Sequence, residues 1–504
     1  MFSVTNVLFA IGILLLLHWI WNIVHRLLIS PLKSIPGPWI YAVTSIPHDI
    51  ACIKGIRHKV LEELHEKYGP VVRISPTEVS FINDAVWKDV WGFRKNDAEC
   101  PKSDLMERVN GFTGILDAGR LDHRRFRRLL SHAFSEQSLR GQEKRVHQHV
   151  DLLVQGLRNT SQKGPLDITL WMHWTTFDIM GDLAFGQSFK SLEAMKTHPW
   201  QQFLADYIAA AVWSGIAERW GLAKLIAVVT PASLRQAVQD FYELSSQMIE
   251  KRIVFGKERG DFFDHILKHE VLSDDTKMQG ELKGLRHGEL KSIASDLAVA
   301  GSETTATLLS GLWYFLSLNP PVLAKLVAEI RTFESEDDIN FANIAKLEYL
   351  NAVIDEALRC FVPSPIPSGR NIPTGGVTVG EVYLPEGTTA FVSHHIAYTS
   401  PMHFARPKEF IPDRWIEGKP KEFQHDNESV YRPFAYGPRN CIGTHLARAE
   451  MRLIISKVLW HFDLERPDPS TEKGHDWESW MDRARVYFLW HKPPLMVNLT
   501  PRLR

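Results

Sequence analysis

The run Phe434-Ala435-Tyr436-Gly437-Pro438-Arg439-Asn440-Cys441-Ile442-Gly443 constrains this chain more than any other stretch. It sets one cysteine in a loop of glycine and proline, with an arginine two residues before it. Directly afterwards Ala447, Met451, Ile454 and Val458 recur at the spacing of one helix face. A thiolate at a helix N-terminus is stabilised by the helix dipole and by backbone N–H groups. Glycines at 437 and 443 let the backbone come close to a flat ligand. Such a loop can hold a metal by one sulfur and tune the electron density on it. The bland alternative is a buried free cysteine that packs as a small apolar residue.

The other cysteines narrow the setting. Cys52, Cys100, Cys360 and Cys441 are widely spaced, with no C-x-x-C pair and no disulfide framework, which reads as a reducing compartment. The formal net charge of −1 gives no reason to expect a nucleic-acid partner. Sequons at Asn159, Asn427 and Asn498 are chance matches if the body faces the cytosol. Val7 to Val24 carries no formal charge, and at ~1.5 Å per residue it reaches roughly 27 Å, enough to span a bilayer. Trp19 and Trp21 lie toward one end, where interfacial aromatics belong. Arg26 and Lys33 follow the stretch and no basic residue precedes it, so the body is expected on the cytosolic side. A cleaved signal peptide would need a positive n-region and a small-residue cleavage site, and neither is present. We therefore expect a transmembrane anchor over 1–29 and a proline-rich hinge over 30–40 around Ile35-Pro36-Gly37-Pro38. A catalytic domain is expected over 41–504.

Beyond the hinge the pattern is mainly helical with small sheets and no second domain. A helix is expected over 55–70, ending near Gly69-Pro70. A hairpin of Val71–Ser75 and Glu78–Ile82 then turns at Pro76. Further short β-like runs lie around Val377–Tyr383 and Thr388–Val392. Arg120 to Arg128 holds five arginines in nine residues, on its face a solvated basic helix surface. Trp171, Trp174, Phe177, Phe203, Tyr207, Trp213 and Trp220 read mostly as core. From Ile293 to Leu318 only Asp296 and Glu303 are charged, a length that could span a membrane. Two carboxylates and a Gly301-to-Thr305 cluster at its centre would be costly in lipid, so a buried central helix is expected, ended by Asn319-Pro320-Pro321.

The cysteine loop matches the F-x-x-G-x-R-x-C-x-G signature and resembles the haem-binding loop of the cytochrome P-450 family, in which a cysteine thiolate ligates haem. The resemblance implies that Cys441 is the axial iron ligand and that Phe434 and Arg439 belong to the haem-binding set, Arg439 on a propionate. Ala300-Gly301-Ser302-Glu303-Thr304-Thr305 resembles the family's [AG]-G-x-[DE]-T-[TS] motif. There Gly301 would leave room for dioxygen, Thr304 would donate to oxygen or bond back to the i−4 carbonyl, and Glu303 would relay protons. His123 and Arg127, one helical turn apart, resemble the family's W-x-x-x-R, with histidine in the tryptophan place. Both could then point at a propionate, and Arg370 resembles a further propionate arginine. The remaining arginines of this run would dock an acidic electron donor on the cysteine side. Glu356-x-x-Arg359 and Arg414 in Phe410-x-Pro412-x-Arg414-Trp415 match the family's locking charges. The family likeness also makes residues 200–235 the roof of the substrate pocket, leaning on the membrane.

The fold implied is the mainly α cytochrome P-450 fold: a large helical domain, a small β-rich lobe and one N-terminal transmembrane helix. The likeness, including Asp178–Gly186, is to fungal members that tailor terpenoids and polyketides. The function implied is a haem b monooxygenase that oxidises an apolar small molecule. It would draw electrons from NADPH through a separate flavin-containing reductase, at the endoplasmic reticulum membrane with the catalytic domain in the cytosol. Two rivals share the fold: a haem-thiolate isomerase or dehydratase that needs no reductase, and a non-enzymatic, membrane-tethered haem-binding protein. The first tends to lose the acid–threonine pair, which is intact here; the second has no use for it.

Overall fold

The computed structural model describes residues 4–94, 99–103, 111–222, 224, 230, 232–256, 259–267, 271–274, 284–468, 477 and 479–502. Packing divides the chain into two units, each assembled from separated stretches. One takes residues 1–104, 366–397 and 436–439, and the other takes 105–365, 398–435 and 440–504.

The first unit is the β-rich lobe. It opens with helix α1 (Val4–Val24), continued by a wider turn over His25–Ile29. The 22 residues Leu8–Ile29 are long and apolar enough to cross a membrane, and the lobe buries none of their most apolar stretch. Ser30 caps a single tight turn over Pro31–Ser34, so the chain leaves the helix at the prolines. Helices α2 (Trp39–Val43), α3 (Ile46–Ile53) and α4 (Arg57–Tyr68) follow. Gly69 ends α4 at φ +95°, a conformation that a side chain disfavours. The expected hairpin forms from β1 (Val71–Arg73) and β2 (Glu78–Phe81), with Val72 opposite Ser80. The expected run around Val377–Tyr383 is not one strand. After β3 (Arg370–Asn371), it folds into a second hairpin, β4 (Val377–Val379) and β5 (Val382–Leu384), with Gly380 at φ +58° in its turn. Strand β6 (Thr389–Val392) lies parallel to β2 and antiparallel to β3, giving the sheet order β1-β2-β6-β3.

The second unit is helical, with α5 (Arg120–Leu130), α6 (Glu136–Ser161), α7 (Ile168–Phe185), α8 (His287–Leu318), α9 (Glu348–Cys360) and α10 (Thr444–His461) among its elements. A small antiparallel sheet pairs Phe462–Glu465 and Leu166–Asp167 with Met496–Pro501. Helix α8 is about 48 Å long at ~1.5 Å per residue and is buried along most of its length, as its apolar sequence requires. Trp171, Trp174 and Phe177 are core, but Trp213 and Trp220 are exposed; the side chains of Phe203 and Tyr207 lie outside the described residues. The basic run on α5 is not wholly a solvated face. Arg125 is buried and donates from Nη2 to Glu289 Oε1 at 2.7 Å and from Nη1 to Glu289 Oε2 at 2.9 Å.

The expected charge lock is present. Glu356 is fully buried at the centre of the second unit's loop-rich end. Arg359 donates to both its oxygens, from Nε at 2.9 Å and Nη2 at 2.8 Å. Arg414 Nε adds a contact at 3.2 Å, and the Ile411 N–H and Trp415 Nε1 each donate at 2.8 Å. Arg359 also donates to the carbonyls of Tyr398, Pro407 and Glu409, and Arg414 to Asp426. Tyr398 Oη in turn accepts the Arg432 N–H at 2.9 Å, just before the cysteine loop. Buried charges persist only when satisfied in this way. Arg414→Ala strands part of Glu356 and Asp426, and we expect it to cost ~3–5 kcal/mol in chemical unfolding. Haem absorbance should be lost before far-ultraviolet circular dichroism changes; full haem occupancy in this variant would contradict the role assigned to the lock.

Candidate active site

The cysteine loop is closed by its own backbone. The Cys441 N–H donates to the Phe434 carbonyl at 2.8 Å. The reversal between them uses Ala435 at φ 60° and Gly437 at φ 77°. A Cβ on Gly437 would collide with the Trp91 carbonyl oxygen within the first unit, so glycine is required there on two counts. Gly443 precedes the first turn of α10, and Thr444 Oγ1 donates to the Cys441 carbonyl at 3.1 Å. The Phe434 ring carries the Arg448 guanidinium 5.4 Å above it, and Arg448 pairs with Asp355 at 2.7 Å.

Cys441 is exposed, unlike Cys100 and Cys360. Protein nevertheless crowds it closely enough that burial raises its thiol, against the opposing pull of the Gly443 N–H, the Thr444 hydroxyl and the Arg127 charge. Coordination to a cation deprotonates a thiol outright, so this does not disfavour a metal. Arg127 grips the neighbouring residue, donating from Nη1 to Asn440 O at 2.5 Å and from Nη2 to Asn440 Oδ1 at 2.6 Å. His123 is buried one turn earlier on α5.

Two further expected residues lie in the first unit. Arg439 donates to both oxygens of Glu99, at 3.0 Å from Nε and 2.7 Å from Nη2. Arg370 is buried over the Trp91 ring at 5.7 Å, and its Nε has no hydrogen-bond partner among the described residues. Burial, joined by the charge of Arg439, lowers Arg370 to about 10. A buried guanidinium with an unmet donor, beside a second arginine, suits an anionic carboxylate ligand. In the second unit the accessible sulfur before a helix suits a thiolate metal ligand, and in the first unit the two arginines suit a carboxylate.

On α8 the motif residues take separate tasks. Thr304 Oγ1 donates to the Ala300 carbonyl at 2.6 Å, the i−4 bond that was one of its two expected roles. Thr305 is buried, and its hydroxyl has no partner among the described residues. A Cβ on Gly301 would lie 2.5 Å from Met180 Sδ, so this glycine is also needed for α8 to pack on α7. Glu303 is not a free acid. Lys492 Nζ reaches its Oε1 at 3.0 Å, and His173 Nδ1 lies 3.1 Å from its Oε2. Burial would raise this carboxyl, but His173 and Lys492 more than reverse it and hold it at about 2. Lys492 also donates to Thr307 Oγ1 at 2.7 Å. Neither Lys492 nor His173 stands in a local pattern with Glu303, and only the fold brings them together.

The sign of the pH effect follows from the lowered carboxyl. The Glu303 ion pairs contribute their full stability above 4.5 and lose it as pH falls toward about 2. We expect Lys492→Met to raise the Glu303 carboxyl and flatten the loss of stability across that window, read from urea midpoints at stepped pH. An unchanged slope would show that Lys492 does not hold Glu303 ionised.

Comparison with known proteins agrees with this geometry. The Cytochrome P450 family model matches residues 33–498. Averantin hydroxylase of Dothistroma septosporum is 39% identical over 98% of this chain and 91% of its own length. Cytochrome P450 monooxygenase astA of Talaromyces wortmannii is 39% identical over 96% of the chain and 94% of its own. Trichothecene C-15 hydroxylase of Fusarium sporotrichioides is 37% identical over 95% of each. A cysteine loop of this form, in a helical chain matched along nearly its whole length, places the protein in the cytochrome P450 family as a monooxygenase.

Proposed function

We propose that Cys441 is the axial ligand of haem b and that the substrate is an apolar polyketide or terpenoid intermediate of secondary metabolism. The observation that carries the first part is the closed loop presenting an accessible Cys441 sulfur just before α10. Relatives named for hydroxylating averantin and the C-15 position of a trichothecene support the second. Thiolate-ligated haem supplies dioxygen activation, with one atom entering the substrate and the other leaving as water.

The chain's own residues do the rest. Arg439, Arg370, Arg127 and His123 would hold the haem carboxylates, and Phe434 would pack in the loop beside the ligand. Gly301 lets α8 approach Met180 of α7 closely. Thr304 presents its hydroxyl when it leaves the Ala300 carbonyl. Glu303 accepts and hands on protons at its carboxylate, whose charge His173 and Lys492 set. Electrons come from NADPH through a separate flavin-containing reductase, which docks on arginines of α5. Leu8–Ile29 anchors the enzyme once in the endoplasmic reticulum membrane, and Arg26 and Lys33 keep the body cytosolic. The intact Glu303–Thr304 pair supports monooxygenation over isomerisation of a peroxide or plain haem binding.

The test is the carbon monoxide difference spectrum of the reduced protein. A strongly red-shifted Soret band, absent in Cys441→Ala, is expected. A band typical of histidine-ligated haem, or well-folded protein without haem, would overturn the ligand assignment. Reductase-dependent NADPH and oxygen consumption with candidate apolar substrates then tests the reaction; turnover without NADPH would favour the isomerase.

A further inference from the structure

A second sulfur-centred cluster lies in the first unit, apart from Cys441. Cys52 and His48 are one turn apart on α3, with Cys52 Sγ 3.8 Å from His48 Nε2. On its other side, His48 Nδ1 lies 3.2 Å from Glu78 Oε2 of β2. His48 is almost fully buried, so the imidazole has little room to turn away from either neighbour. Cys52 itself is only partly buried. We propose that Cys52, His48 and Glu78 form a thiol-modification site, at which the Cys52 sulfur exchanges with a small disulfide of the oxidised-glutathione class.

The arrangement sets a thiol beside an imidazole that a carboxylate keeps charged. Glu78 favours the charged form of the imidazole, and the imidazolium stabilises a thiolate at Cys52. Arg57, at the start of α4, adds a second positive charge near the sulfur. The titratable groups facing Cys52 are thus His48 on its own helix, Arg57 on α4, Glu78 on β2 and Tyr41 on α2. Burial raises the Cys52 thiol, but the charges of His48 and Arg57 more than reverse this and lower it. Burial alone would lower His48, yet the Cys52 charge and the Glu78 contact bring it up to about 9. The contrast within the chain is direct: burial pushes Cys360 up to about 12 and raises Cys100.

The exchange is balanced. The Cys52 thiolate attacks one sulfur of the small disulfide. A new S–S bond forms to Cys52, the original S–S bond breaks, and the other half leaves with the electron pair as a thiolate. No further oxidant is needed.

The experiment uses full-length, haem-loaded protein in lipid nanodiscs with oxidised glutathione as the probe. Peptide mass spectrometry follows the mixed disulfide at Cys52 over time at pH 6, 7 and 8. An ordinary thiol with pKa ~8.5 gains roughly seventyfold in rate over this range, because its thiolate fraction does. We expect Cys52 to gain clearly less over this range than an ordinary thiol does, and His48→Gln to slow it at least ~tenfold at pH 6. Cys52→Ser should remove the adduct. A wild-type rate that climbs about tenfold per pH unit, or no adduct at Cys52, would overturn the proposal. The wild-type profile decides even if the buried His48 does not tolerate substitution.

Discussion

The buried carboxylate of Glu356 is the interaction on which the second unit's loop architecture depends. A lone ionised carboxylate in that position would be too costly to keep. It is tolerated because Arg359, Arg414, Trp415 and the Ile411 N–H all donate to it. Each arginine then spends its other donors on carbonyls or on Asp426, so the network ties α9 to chain many residues later. Irregular loops have few backbone partners of their own, and these side chains replace them. The approach to the cysteine loop is fastened from the same region: Tyr398 holds Arg432, and Asp355 holds Tyr431 and Arg448.

A similar economy governs α8. Several of its hydroxyls return to carbonyls four residues back, at Ser295, Ser302, Thr304, Ser310 and Ser317, while Ser292 donates to the Phe112 carbonyl and Thr307 accepts from Lys492. This lets a polar motif pass through a dry interior without stranded groups. Thr305 differs, its buried hydroxyl having no partner among the described residues. Glu303 needs counter-charges, and Lys492 and His173 supply them from opposite ends of the unit's sequence. The acid beside the threonine is therefore an ionised, paired group whose charge state depends on residues outside the motif.

The chain carries sulfur in contrasting electrostatic settings. Cys360 is fully enclosed and its thiol is pushed up. Cys441 is accessible and framed by N–H, hydroxyl and guanidinium groups. Cys52 is paired with an imidazole and an arginine. Burial acts in the same direction on all of them, and the neighbouring charges decide which sulfur favours the thiolate.

Much of the scheme was written in local sequence. The cysteine loop, the long apolar helix and the hairpin at Val71–Phe81 each follow from residue types at short spacing, whereas the E-x-x-R pair took its meaning from the family likeness. Steric and hydrogen-bonding rules act over a few residues, so such elements can be read directly. The hairpin within Val377–Leu384 was missed as a pair because its turn rests on one glycine, Gly380. The burial of Arg125 against Glu289, the union of Glu303 with Lys492 and His173, and the approach of His48 to Glu78 had to await the fold. Most of those partners lie tens to hundreds of residues apart. Charge state depends on burial and on which groups meet, and both are set only when distant segments pack together. The sequence by itself determined the family, the cysteine loop and the long apolar helix; tertiary structure decided how each charged group is paired, because pairing is a property of packed neighbours.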